Sequence, residues 1–455
     1  MSERDPAAIV QRALAAAKAE GADQADTVLV ESDALEARVR DETVDFVKQA
    51  RERTLGIRAL VAGEGGMRSA ITSTSDLAGD AVDRLAAETV ALARATAADP
   101  AAGLPEGGFA DDAAGLDLEL SHPEDRNVEV ETRIDAARRA EASARACDPL
   151  ISNSEGSQVG SDYSHVVYAN SAGFLGSYDS TFHSLFCEPI ARRNGSMQRD
   201  YWMTVDRRLA ALESPEDVGR RAAERALRRL GARRVPTCEV PVLFDALTAP
   251  SLLRQLVGCL SGYAIYRKAS FLTDRLGETI ASPQITVVDD GRLPGGLGSR
   301  PFDGEGLPTR RNVLVEGGRL ASYLLDTYSA RKIGNQSTGN ATRSAGSAPG
   351  VGPTNLWLEP GDRSLDELIA DTPRGLLVTE LIGMGFNPVT GDYSRGAAGL
   401  WIEGGEIAFP VEEVTIAGNL GDMLREIDAV GSDLLWLSRV AAPSLRVARM
   451  TVAGE

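Results

Sequence analysis

The sequence predicts an α+β fold: N-terminal helix-plus-sheet units followed by a mostly antiparallel β C-terminal domain. Three observations predict it. Strand-like segments run in groups and do not alternate regularly with helices, which is the pattern of α+β chains and not of doubly wound sheets. Apolar residues recur at helical spacing only near the starts and ends of those groups. In the C-terminal half, short strands are separated by Gly-Gly, Asp-Gly and Gly-Asn pairs, the residues that hairpin turns with positive φ demand.

Each element follows from local chemistry. Residues 6–20 (P-A-A-I-V-Q-R-A-L-A-A-A-K-A-E) form an amphipathic helix closed by Gly21. Alternation follows in T-V-L-V-E, in L-E-A-R-V-R and in residues 55–61, which end at Gly63. A helix over about residues 75–97 is capped by S-T-S-D. The Pro/Gly/Asp-rich residues 98–116 are a connection, so the first unit is residues 1–110. The second, residues 117–232, has a helix over about 124–146, then polar Ser/Gly/Tyr-rich strands over 151–205, which suit an antiparallel sheet with one wet face. A helix over 215–230 closes it. Both units share an order of helix then strands, a sign of duplication. The third unit, residues 236–455, opens with a strand at 240–244 and a helix over about 249–260. V-L-V-E-G-G-R-L-A-S-Y-L-L and A-G-L-W-I-E-G-G-E-I-A-F-P-V are its clearest hairpins.

Composition bounds the function. The 455 residues suffice for two or three domains, and 43% apolar with 25% charged residues is ordinary for a soluble chain. A net charge of −18 repels phosphate backbones and argues against nucleic-acid partners. The basic run at residues 220–234 is expected to be the solvated face of one helix. No stretch nears the roughly 18 apolar residues of a membrane span, and the first six residues lack a signal-peptide pattern. Cys147, Cys187, Cys238 and Cys259 form no C-x-x-C pair, which suits a reducing cytoplasm.

Candidate sites concentrate in glycine-punctuated segments of the third unit. D-Y-S-R-G places Tyr393 and Arg395 where Gly391, Gly396 and Gly399 admit a close backbone approach. A purely local hairpin, with Arg395 paired to Asp392, is the competing reading. T-G-N-A-T-R-S-A-G-S carries Asn340 and Thr342 in a turn whose exposed amides could hold an anion or a carbonyl oxygen. The only histidines are His122, His165 and His183, all before the third unit, and no G-x-S-x-G occurs. A Ser–His or Cys–His pair would therefore have to cross units. Cys259 reads as a small buried side chain.

Y-R-K-A-S-F-L, P-F-D-G-E-G, Y-S-A-R-K-I-G, S-T-G-N-A, L-V-T-E-L-I-G-M-G, T-G-D-Y-S-R-G-A-A-G-L-W-I-E-G-G-E-I and E-V-T-I-A-G-N-L-G-D-M occur in that order. Together they resemble the TldD/PmbA family, closer to its PmbA (TldE) branch. The resemblance implies a two-protein assembly that degrades or trims peptides. Its TldD-type subunit carries H-E-x-x-x-H on a helix and a further Cys ligand near the C-terminus. Here the corresponding residues 254–259 read R-Q-L-V-G-C, and no cysteine follows Cys259. Arg254 then stands for the first His, Gln255 for the general-base Glu and Cys259 for the second His. A guanidinium cannot shed its proton to ligate a metal, and an amide cannot deprotonate a metal-bound water. The resemblance thus implies a subunit without metal or catalytic residues, with zinc expected in a TldD-type partner. Arg395, Tyr393, Asn340 and Thr342 are the expected wall and substrate contacts, and peptide would add as a strand to a sheet edge. The alternative is a homodimeric regulatory or peptide-binding protein without proteolytic activity.

Overall fold

The computed structural model describes residues 5–111 and 115–454. Residues 1–4, part of the N-terminal segment read for a signal sequence, and 112–114 of the first connection lie outside the described residues. The α+β expectation holds, with sheet dominating the last unit.

The first unit runs α1 (Pro6–Ala19), β1 (Gln24–Arg40), β2 (Thr43–Gly63), β3 (Gly66–Thr74), α2 (Gly79–Ala95). Pro6 occupies the first turn of α1, and Asp5 accepts from Ala7 N, so the start predicted from sequence is capped. The second runs α3 (Val130–Cys147), β4 (Ile151–Asn170), β5 (Leu175–Arg193), β6 (Ser196–Arg199), β7 (Trp202–Asp206), α4 (Pro215–Leu227). Each unit is thus helix, antiparallel strands, helix, the repeat order seen in the sequence.

The two units share one sheet. Its order is β3-β2-β1-β4-β5-β6, with β7 also against β5. β1 pairs antiparallel with β4 from Asp26↔Asn170 to Val39↔Ser157. At about 3.3 Å per residue the 17-residue β1 spans roughly 55 Å, long enough to serve both helix pairs. Alternation sorts its side chains. Ala25 and Leu29 join Val10, Ala13, Val82 and Val90 under α1 and α2. Ala37 and Val39 join Ile134, Ala137, Val218 and Ala222 under α3 and α4. The opposite face puts Val28 and Tyr168 against Phe302 and Ala345 of the third unit.

The third unit begins with β8 (Cys238–Phe244) and α5 (Pro250–Leu260). β8 lies between Leu445–Ala453, antiparallel, and Arg374–Ile382, parallel. Asp392–Glu403 and Glu406–Asn419 extend the sheet, and Glu406–Asn419 pairs back onto Leu445–Ala453, closing a five-stranded ring. Both predicted hairpins form. Gly404 and Gly405 have φ of +62° and +80°, and Gly317 and Gly318 have +54° and +81°, the left-handed geometry glycine tolerates best. The hairpin at Gly317 and Gly318 is shorter than its sequence pattern, since its returning strand is only Arg319–Leu320.

Candidate functional site

The loop from β8 to α5 is held by one carboxylate. Asp245 Oδ1 accepts from Leu247 N at 3.2 Å, Thr248 N at 3.0 Å and Thr248 Oγ1 at 2.9 Å. Thr248 Oγ1 also lies 3.1 Å from Val378 O. The first turn of α5 is thereby tied to the ends of two parallel strands. Ala249, the N-cap, makes no side-chain cap bond. Beyond Val378 the pairing with Asp392–Glu403 slips by one residue, and Thr379 is the extra one.

A cavity of about 360 Å³ opens at this end of α5. Its walls come from two units: Arg199 at the end of β6, Asp200 and Tyr201 between β6 and β7, Arg229 beyond α4, and Ser251, Arg254, Thr379, Glu380 and Arg395 from the third unit. Its carboxylates are already matched. Asp200 lies 3.2 Å from Arg225, Glu380 is 2.5 Å from Arg229, and Glu188 is 2.9 Å from Arg199. Behind the wall Arg225 also reaches Asp245 at 3.4 Å. Burial pushes the Asp245 carboxyl up, against the pull of Arg225 and Arg228. Arg254 and Arg395 are different: among the described residues neither has a carboxylate within ion-pair distance. Arg254 bonds Ser438 Oγ at 3.1 Å, and its partial burial lowers its pKa. The Asp200 Oδ2, Ser251 Oγ, Thr379 Oγ1 and Arg395 Nε atoms are buried without a hydrogen bond.

The structure therefore brings Arg254 and Arg395 to one cavity and separates the other candidates. Tyr393 is buried below it, with its hydroxyl facing Ser251 and Arg395. Its ring belongs to the core, so it backs Arg395 and forms no outer wall. Arg395 does not pair with Asp392, which bonds Thr390 Oγ1 and Asn419 instead. Gln255 is half-buried and lines no part of the cavity. Cys259 is fully buried, 3.9 Å from Pro388 O, and burial pushes its thiol up to about 12. Five residues along a helix turn it about 140° from Arg254. Among the described residues no three His, Cys, Asp or Glu side chains gather as metal ligands. The residues present do not fit a zinc ion.

The Asn340 turn is a correction to the sequence expectation of exposed amides. Gly339 has φ +73°, as expected, but Asn340 is fully buried. Its Nδ2 donates to Asp289 Oδ2 at 2.6 Å and to Gly352 O at 3.3 Å. Thr342 lies half-buried in a two-residue strand, paired with Gly350. The turn aims the next residues at the N-terminal sheet. Arg343 and Arg58 share the buried Asp26, with Arg58 Nε at 2.9 Å. Burial raises the Asp26 pKa, and the two guanidiniums more than offset that and hold it low.

The basic run is the second correction. Arg220 is solvated and paired with Asp217 and Glu224. Arg225, however, is 8% exposed, and Arg228 and Arg229 are largely covered. These three back the cavity. A stretch with an arginine at nearly every third position conceals which ones face inward, and Asp200, Tyr201 and Thr379 carried no local signal.

Fold and site together define a three-unit α+β chain with an arginine-lined cavity between its second and third units. Residues 25–93, 123–230 and 237–454 match, in turn, the models of domain 1, the central domain and the C-terminal domain of the PmbA/TldA metallopeptidases. The chain belongs to the PmbA/TldD metallopeptidase family. Metalloprotease PmbA of Escherichia coli O157:H7 is 39% identical over 97% of this chain and 94% of its own length. A Bacteroides thetaiotaomicron crystal structure, described as a candidate modulator of DNA gyrase, superposes with TM-score 0.89 at 29% identity over 98% of both chains. TldE from Thermococcus kodakarensis shares the fold, with TM-score 0.88 at 22% identity over 98% of this chain and all of that one.

Proposed function

We propose that this chain is the PmbA/TldE-type subunit of a cytoplasmic peptide-degrading or peptide-trimming assembly. It supplies chamber wall and peptide contacts to a zinc-bearing TldD-type partner and has no hydrolytic centre of its own. The observation that carries this reading is Arg254. Where the family resemblance assigns a first metal ligand, a guanidinium faces the cavity, and Gln255 and Cys259 cannot complete a ligand set around it. Of the four substrate contacts expected from the sequence only Arg395 lines the cavity, Arg254 joins it there from the degenerate motif, and Tyr393 supports Arg395 from below. The four free cysteines, among the described residues, support a reducing compartment. No helix among the described residues is long and apolar enough to cross a membrane.

The test is co-expression with a TldD-type subunit. Hydrolysis of an unstructured peptide is expected only from the pair, with zinc on the partner. Stoichiometric zinc on the isolated chain, with turnover that a chelator abolishes, overturns the reading. A stable homodimer that ignores a TldD-type subunit and still binds peptide favours the regulatory alternative.

A further inference from the structure

We propose that the cavity at the head of α5 captures the C-terminal carboxylate of a peptide, with Arg254 and Arg395 as its clamp. The proposal rests on the reading that this chain handles peptides, and names which part of the peptide it holds.

The charge distribution in the cavity points to an anion. Each lining carboxylate is held by its own arginine: Glu188 by Arg199, Asp200 by Arg225, Glu380 by Arg229. Arg254 and Arg395 are left over, and both line the same space. Among the described residues Arg254 meets only Ser438 Oγ and Arg395 only the Tyr393 hydroxyl, so a bound anion would supply the countercharge that neither now meets. The chain around them carries a net −18 charge, so this local excess of positive charge runs against its own background.

The neutral groups favour a peptide terminus over an inorganic anion. Thr379 Oγ1 is a buried donor without a bond, in a residue only 5% exposed, and Ser251 Oγ faces the Tyr393 hydroxyl. Thr379 stands in the cavity wall, where a small shift of its side chain would add a donor to a bound carboxylate. Asp200 Oδ2 is also unbonded, in a residue 4% exposed. Phosphate or sulfate would set an oxygen against that carboxylate. A terminal residue offers both charges of the match: its carboxylate to the arginines and its amide N–H to Asp200. The cavity volume of about 360 Å³ falls within the roughly 300–1,000 Å³ of small-ligand sites. Its position at the N-terminal end of an eleven-residue helix adds favourable dipole potential.

The carboxylate could come from the chain end or from an acidic side chain, and the probes separate the two. Three N-terminally fluorescein-labelled pentapeptides are titrated with the full-length chain alone and followed by anisotropy: penta-alanine with a free carboxylate, its C-terminal amide, and an amide ending in Glu. The free acid is expected to bind at least tenfold more tightly than either amide. Arg254→Ala and Arg395→Ala should each weaken the acid at least tenfold and leave the amides unchanged. Both variants should melt at or above the parent temperature, because each removes an unmatched cation. Equal binding of acid and plain amide overturns the proposal, as does absence of binding to all three. Tight binding of the Glu-ended amide overturns selection for the chain end. No partner subunit enters this assay, so its failure is distinct from a failure to assemble with a TldD-type subunit.

Discussion

At the scale of single residues, burial decides which polar side chains recognise ligands and which hold the fold. Asn340 and Arg395 looked alike in the sequence, each beside glycine in a polar segment. Asn340 is closed over by Asp289 and Gly352, whereas Arg395 meets a cavity. Burial pushes the Asp289 carboxyl up to about 6, against the pull of Asn340 and Thr354, which hydrogen-bond its ionised form. A carboxyl with a raised folded-state pKa binds its proton more tightly in the native state. Its contribution to stability is therefore greatest at acid pH and declines as pH rises from its ordinary 3.8 to about 6. Asn340→Ala removes one donor and moves that upper limit higher. It should cost about 1–3 kcal/mol at pH 8 and less at pH 5, by urea denaturation at both. Equal losses at the two values would sink this account of the Asp289–Asn340 pair.

At the scale of elements, close packing reverses ordinary propensities. Gly219 lies inside α4, where glycine normally costs about 1 kcal/mol against alanine. Here a Cβ would lie 2.0 Å from Ala140 O of α3, so the two helices cross almost backbone to backbone. Gly219→Ala should destabilise by about 1–3 kcal/mol instead of stabilising, as thermal melting will show. The same reasoning explains Gly56 of β2, whose Cβ would meet Ala345 O at 1.8 Å. A glycine in a strand reads as a weak point until the layer packed on it is known. Element types and most starts and stops were legible because caps and periodicity are local. The inward side of the 220–234 run was not, because its arginines meet partners from three separate segments.

At the scale of the whole molecule, one buried carboxylate ties the N-terminal sheet to the last unit. Asp26 and Arg58 come from β1 and β2, and Arg343 arrives from the turn after Asn340. Asp26→Ala would strand two buried guanidiniums and should cost about 3–5 kcal/mol. The Asp26 pKa is depressed in the fold, so its contribution is complete above its ordinary 3.8 and fades as pH falls below that value. The variant's deficit should accordingly shrink in acid, with calorimetry at pH 3 and pH 7 as the check. A deficit unchanged between the two values would rule out the ionised clamp. By itself, the sequence determined the α+β class, the glycine hairpins, the family resemblance and the absence of histidine and carboxylate from residues 254–259. Those features depend on residue type and short-range spacing. Only the tertiary structure decided that the first two units share a sheet, that Asn340 is interior, and that Arg254 and Arg395 stand at one cavity with no carboxylate, among the described residues, within ion-pair distance. These depend on which distant segments exclude water from each other, and charge balance within a dehydrated space is a property of neighbours in three dimensions.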